Sequence, residues 1–398
     1  MDQPPPRAFD PEAVLPGPPE PWQGSTMPAV RVGPPFAMSE MIAAEPALAE
    51  RLLARFGEPG SEAAALADAL RDCLASGRSI VLVGCGTSEH GAQGGALILA
   101  EAARRAGLPP FVQATQALEA ALGPLAAGLL VAVSHEGGTW ATNRALDAAR
   151  AGGIRTALIT VGHRSPGAAL ADLVVATREQ DQSWCHTVGY LSPLLAATAV
   201  AGHLLGVPPP IGHIRELLTD GSRQLARAEA IAAGLAGLRQ LLTVGSGADR
   251  PAARELALKV EEACYLPTTM RDLETMLHGH LPATGASTGL VLILAEREQR
   301  EARLARARGL LSAAGAIGVR CAAIVAAGAD EDLPEELTPL GRLVVPEAAD
   351  LASPVSVLLG TATPLQLLTE RLARSRGTNP DTLRRTDARY RAAAAQAE

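Results

Sequence analysis

Lys259 and Glu262 stand three residues apart in the run Ala257-Leu258-Lys259-Val260-Glu261-Glu262. On a helix that spacing puts an ammonium and a carboxylate on one face. An ordinary surface ion pair has the same spacing. Two features argue against that reading: the flanks are apolar, and Lys259 is the only lysine among 35 Lys and Arg residues. A lysine retained in so arginine-rich a chain points to a place where a compact ammonium fits and a planar guanidinium does not. His278-Gly279 follows sixteen residues beyond Glu262, and His280 comes two residues later.

Two loops suggest a second kind of chemistry. They are Gly84-Cys85-Gly86-Thr87-Ser88 and Ser134-His135-Glu136-Gly137-Gly138-Thr139. Each joins an apolar run to a helical stretch. Such turns present backbone N–H groups and a positive helix end to an anion. The hydroxyls of Thr87, Ser88, Ser134 and Thr139 can donate to phosphate oxygens, and Gly86 and Gly137 let the backbone come close. Gly and Ser also make plain turns and N-caps. Two such loops at the carboxyl ends of parallel strands favour a binding site.

The elements that must position these residues alternate. Short apolar runs at 79–83, 129–133, 156–160 and 173–176 predict buried strands with helices between them. The order recurs at 241–244, 290–294 and 321–325. Sliding the halves by 161 residues lays Gly84-Cys85-Gly86 on Gly245-Ser246-Gly247 and Glu101 on Glu262, so an internal, domain-sized repeat is expected. The fold class is α/β, with two tandem doubly wound parallel sheets of the flavodoxin-like kind. Residues 1–37 hold eleven prolines and read as a disordered extension, with Met27 and Met38 both plausible starts. The expected boundaries are 38–215 for the first domain, 216–375 for the second and 376–398 for a tail. Only the first half keeps a Gly- and hydroxyl-rich second loop; the second half has Ala295-Glu296-Arg297-Glu298-Gln299-Arg300 there. The first half is therefore expected to hold the ligand, and the second to lend side chains.

Composition narrows the partners. A net charge of −7 and scattered arginines exclude a nucleic-acid footprint and give no basic block for a membrane surface. Apolar runs are broken before a spanning length of roughly 20 residues, and no secretory signal is visible. Five cysteines without CxxC spacing read as reduced thiols of a cytoplasmic protein. No HxH or HExxH spacing with a matching carboxylate suggests a metal, and no cofactor is expected.

The loops resemble the sugar isomerase (SIS) domain family, as in the isomerase half of glucosamine-6-phosphate synthase. Gly84 to Ser88 matches that family's first loop residue for residue. The second loop matches Ser-Gln-Ser-Gly-Glu-Thr at Ser134, Gly137 and Thr139 and departs at His135, Glu136 and Gly138. Glu136 replaces a phosphate-binding serine, and its charge would repel a phosphate dianion. The run at 257–262 and His278 match the family's catalytic stretch. The resemblance implies that Glu262 moves a proton between C1 and C2, with Lys259 as its electrostatic partner. It also implies that His278 opens the sugar ring from a neighbouring subunit, hence a homodimer. Thr187 or Ser183, in Asp181-Gln182-Ser183-Trp184-Cys185-His186-Thr187, would close the site. The tail at 377–384 resembles the family's closing segment but lacks the lysine that forms a Schiff base in the synthase. No glutaminase segment is seen, so glutamine-dependent synthesis is not expected. The implied activity is aldose–ketose isomerisation or isomerising deamination of an amino-sugar phosphate. Deglycation of a sugar–amine adduct is a close variant, and a sugar-phosphate-binding regulator without turnover is the alternative from another class.

Overall fold

The computed structural model describes residues 9–18 and 31–397. The chain opens with two helices, α1 (Ala37–Gly57) and α2 (Glu62–Ala75). The first sheet region follows as β1 (Ile80–Gly84), α3 (Thr87–Arg105), β2 (Val112–Gln116), α4 (Ala117–Leu122), β3 (Leu129–Val133), α5 (Trp140–Ala151), β4 (Arg155–Thr160) and β5 (Leu173–Ala176). Helices α6 (Val188–Leu205), α7 (Ile211–Ser222) and α8 (Leu225–Leu235) lead to the second region. That region comprises β6 (Gln240–Gly245), α9 (Asp249–Cys264), β7 (Thr268–Asp272), α10 (Leu273–Thr275), β8 (Thr288–Leu294), α11 (Arg300–Ala316), β9 (Arg320–Ala326), α12 (Ala327–Asp330) and β10 (Arg342–Val345). Helices α13 (Ser353–Arg376) and α14 (Ala388–Ala397) end the chain.

Both sheets are parallel and five-stranded, ordered β2-β1-β3-β4-β5 and β10-β9-β8-β6-β7. Read from the other edge, the second order equals the first. β1 and β3 are buried at every residue, as strands covered on both faces must be, and they read as unbroken apolar runs for that reason. Three edge strands, β2, β7 and β10, escape a search for such runs. β2 is Val-Gln-Ala-Thr-Gln and has no fully buried residue, so its sequence carries little apolar signal.

In each sheet the order reverses beside the first strand, between β1 and β3 and between β6 and β8. The loops leaving those two strands turn to opposite faces, and a crevice opens at their carboxyl ends. Register pairs Val83 with Ala132, which sets the loops after β1 and β3 side by side.

One apolar core runs through both halves, from Met38 and Leu53 through Leu82 and Leu194 to Leu256, Leu358 and Leu372. α13 is buried along most of its length and packs on α7, α8 and α9, reaching α3 and α6 as well. α3 in turn packs on α6 and α9. Its small residues permit that approach: a Cβ on Gly94 would stand 2.6 Å from Leu194 Cδ2 and 3.1 Å from Leu358 Cδ1. α6 is long and apolar enough to cross a membrane by composition, yet it lies buried in this core.

The expected disordered extension is partly placed. Leu15 is buried, its N–H donates to Glu179 Oε2 at 3.0 Å, and Pro16 O accepts from Gln180 N at 2.8 Å. A leucine in a Pro-rich stretch has found an apolar seat that composition does not reveal. Residues 1–8 and 19–30, and with them Met27, lie outside the described residues. α7 runs unbroken across the expected boundary at 215.

Glu45 of α1 is wholly buried and accepts from Thr363 Oγ1 of α13 at 2.8 Å. Burial pushes its carboxyl up from 4.5 to about 8, and the Thr363 and Gln366 hydrogen bonds offset only part of that. A raised carboxyl binds its proton more tightly in the folded state. Its contribution is therefore full below about 4.5 and is lost as pH climbs towards about 8. In urea melts from pH 5 to 8 the wild type is expected to lose stability relative to Glu45→Gln as the pH rises, the difference between the two isolating this group.

Candidate active site

α9 brings three ionisable side chains to one face. Glu255, Lys259 and Glu262 are spaced i, i+4, i+7. Lys259 Nζ donates to Glu262 Oε2 at 2.5 Å and lies 3.5 Å from Glu255 Oε1. Lys259 and Glu255 have no exposed side-chain surface, whereas Glu262 keeps 24 % of its own. The ammonium is thus sealed beneath a carboxylate that still reaches solvent.

The first half completes the cluster. Thr87 Oγ1 donates to Glu255 Oε1 at 3.2 Å, and His90 Nδ1 lies 2.7 Å from Glu255 Oε2. Both come from the first turn of α3, which begins within the Gly84–Ser88 loop. The loop after β5 closes another side: Cys185 Sγ lies 3.9 Å from Lys259 O. Glu255 and His90 were not picked out from the sequence. Glu255 was in reach, four residues before Lys259, but nothing local links His90 to a glutamate 165 residues away.

The charges balance around Lys259. Burial opposes its charge, but Glu262 and Glu255 outweigh burial and hold the ammonium charged. Burial also opposes ionisation of Glu255, yet Lys259 and the His90 and Thr87 contacts hold it below the usual carboxylate range. Glu262 goes the other way: burial lifts it above that range despite Lys259. A carboxylate raised towards the working pH is a better proton acceptor than an ordinary one. His186 is pushed down to about 3 by burial and then by the Lys259 charge, so it stays neutral.

The second loop is built for close approach. Ser134 Oγ accepts from Gly137 N at 3.2 Å and lies 3.4 Å from Thr139 Oγ1. Thr139 is the N-cap of α5 but makes no side-chain cap bond. Gly137 has φ 71°, and a Cβ there would stand 2.1 Å from Ser165 Oγ, so only glycine fits. Glu136 Oε1 accepts from Gln180 Nε2 at 3.2 Å. His135 of the same loop is committed elsewhere. It is buried, its Nε2 accepts from the Asp181 N–H at 3.0 Å, and burial followed by His186 lowers it to about 3. It thereby ties this loop to the one after β5. Thr187 is fully buried, and its Oγ1 has no hydrogen-bond partner among the described residues.

The matching turns of the second sheet are filled by their own side chains. Asp249 accepts from the N–H groups of Ala295 and Glu296 at 3.0 and 3.3 Å, and Glu296 accepts from Ala248 N at 3.1 Å. Burial lifts Asp249 to about 8. Arg303 Nη1 donates to Ser246 Oγ at 2.6 Å. The backbone N–H groups of Ala248, Ala295 and Glu296 are thus already satisfied. At the position of Glu262 the first half has Glu101, paired with Arg104 at the surface. The two halves share a frame and differ in what fills their turns.

His278 is not brought to the pair. Its side chain is 72 % exposed and lies 2.7 Å from Glu274 Oε1. His280 accepts from Arg271 Nε at 3.3 Å through Nδ1. Among the described residues no group of His, Cys, Asp and Glu is arranged to hold a metal.

Known proteins bear on this geometry. Residues 73–205 match the family model described as SIS domain. The glutamine–fructose-6-phosphate aminotransferase (isomerizing) of Gloeobacter violaceus is 28 % identical over 327 residues, 78 % of this chain and 51 % of its own length. The chain thus spans about half the length of that curated relative. The C-terminal domain of the Francisella tularensis glucosamine-fructose-6-phosphate aminotransferase has the same fold, with TM-score 0.75 and 18 % identity over 89 % of this chain and 99 % of that one. The tagatose-6-phosphate ketose/aldose isomerase of Escherichia coli follows with TM-score 0.69 and 19 % identity over 90 % and 97 %. Residues 73–205 therefore match a SIS domain, which in this chain is built around the β1–β5 sheet.

Proposed function

We propose that the protein acts on a sugar phosphate by moving a proton between C1 and C2, as an aldose–ketose isomerase or an isomerising amino-sugar phosphate deaminase. One observation carries this reading: Glu262, a carboxylate with 24 % of its side chain exposed, is bonded to a fully buried ammonium, Lys259, on a helix whose Glu255 accepts from Thr87 of the first loop. Glu262 takes the proton from one carbon and returns it to the other. Lys259 keeps Glu262 ionised and oriented, and the Glu255–His90–Thr87 contacts fix Lys259. In the deaminase version, water adds to the C2 imine and the amine departs as ammonia, so amino sugar and water give ketose and ammonia. The loops at 84–88 and 134–139 hold the sugar and its phosphate through Gly86, Thr87, Ser88, Ser134, Gly137 and Thr139, with Thr187 beneath. His278, exposed and away from the pair, is proposed to serve a second copy of the chain in a homodimer.

The test is incubation with glucosamine 6-phosphate, assayed for ammonia and fructose 6-phosphate. Both products are expected in equal amounts. Tight calorimetric binding with no product from any sugar phosphate over hours would favour the regulatory reading instead, which the Glu136 carboxylate in the second loop supports.

A further inference from the structure

The tail after α13 returns to the site. Asp381 accepts from the N–H groups of Ala37 and Met38 at 2.7 and 2.9 Å and so ties the tail to the start of α1. Leu383 and Arg384 then adopt left-handed backbone conformations, with φ 45° and 58°. Non-glycine residues hold that shape only where surrounding contacts enforce it, and such strain gathers at functional places. The contacts are visible. Arg384 N donates to Tyr265 Oη at 3.0 Å, and its guanidinium lies over the rings of Tyr265 and Tyr390, 4.0 and 4.9 Å from their centroids.

What this strained pair delivers is Arg385. Its guanidinium carbon stands 3.6 Å from the centroid of the Trp184 ring. Trp184 immediately precedes Cys185, the residue packed on Lys259. The Arg385 charge is also felt at His186. Among the described residues the Arg385 side chain makes no hydrogen bond and no ion pair, although it is partly buried. Stacking on an indole fixes the plane of a guanidinium and leaves its five N–H donors free at the edge. The site's other buried cation, Lys259, is already matched by two carboxylates. The second loop meanwhile contains a carboxylate of its own, Glu136.

We infer that Arg385 is a specificity-determining residue that receives an anionic substituent, phosphate or carboxylate, of the sugar whose reacting carbons lie against Glu262. This deepens the proposed reaction and rests on it. A planar, pre-oriented fork suits either group in bidentate fashion. It also supplies the positive charge that the altered second loop lacks.

Binding is read apart from turnover, on the full chain, with unreactive probes. Sorbitol 6-phosphate carries the phosphate, L-gulonate a carboxylate at the same carbon, and sorbitol neither. Calorimetry is run on the wild type, Arg385→Met and Arg385→Lys, with melting curves to show that each variant is folded. Wild type is expected to prefer an anionic probe over sorbitol. Arg385→Met is expected to weaken that probe about tenfold or more, Arg385→Lys less, and neither to alter sorbitol. The probe that suffers the larger loss names the group. In turnover, KM for glucosamine 6-phosphate rises in Arg385→Met while kcat stays within about threefold, since loss of one charged contact acts on binding. If folded Arg385→Met binds both anionic probes as wild type does, or if wild type does not prefer either to sorbitol, the assignment is overturned. If the binding contrast holds but wild type turns nothing over, the reaction fails and Arg385 stands.

Discussion

Glu262→Gln is expected to lower kcat by about 10²- to 10⁴-fold, the range a positioned general base contributes, with substrate binding little changed. Glutamine keeps the shape and a hydrogen-bonding oxygen for Lys259 Nζ, now 2.5 Å from Oε2. It cannot take a proton from carbon. The fold is expected to survive, because Lys259 retains Glu255 as a counter-charge 3.5 Å away and the variant sheds a carboxylate that burial had disfavoured. Steady-state kinetics beside a melting curve checks this. A folded Glu262→Gln protein with wild-type kcat would remove Glu262 from the reaction and the proton-transfer reading with it.

Lys259→Met is expected to act on stability and on the pH profile together. The side chain has no exposed surface, so methionine fits the space and deletes only the charge. Glu255 is then a fully buried carboxylate left with His90 and Thr87 alone. Removing one partner of a buried pair costs on the order of 3–5 kcal/mol, which is a large share of a domain's stability. The kinetic effect has a definite sign. Lys259 now pulls the Glu262 carboxyl down against burial. Without that pull the carboxyl rises further, and its ionised, proton-accepting form appears only at higher pH. The acidic limb of kcat/KM therefore moves to higher pH in the variant. Lys259→Arg is expected to restore the charge but not the seat, since a planar guanidinium is wider than an ammonium. An unmoved acidic limb in a folded Lys259→Met protein would show that the ammonium does not set the base.

What could be read in advance follows the range of the interactions. The Lys259–Glu262 contact is local to one helix, so spacing alone put the two side chains together. The loops at 84–88 and 134–139 follow central strands whose apolar runs mark themselves, and their adjacency follows from the β1–β3 pairing of a doubly wound sheet. The second-half loops were distinguished by composition, and the structure shows the means: Asp249, Glu296 and Arg303 fill them.

The sequence by itself determined the α/β frame, its two sheets, the acidic, non-basic character that argues against nucleic acid, and the helix face that carries Lys259 and Glu262. Those depend on periodicity, composition and neighbours within a turn or two. Only the tertiary structure decided the rest. It brought Thr87 and His90 to Glu255 across more than 160 residues, turned His135 inward to Asp181, seated Leu15 on the first domain, and laid Arg385 on Trp184. Each of these is a contact between segments distant in the chain, chosen by which surfaces the packed core leaves adjoining. No local pattern of residues encodes that choice.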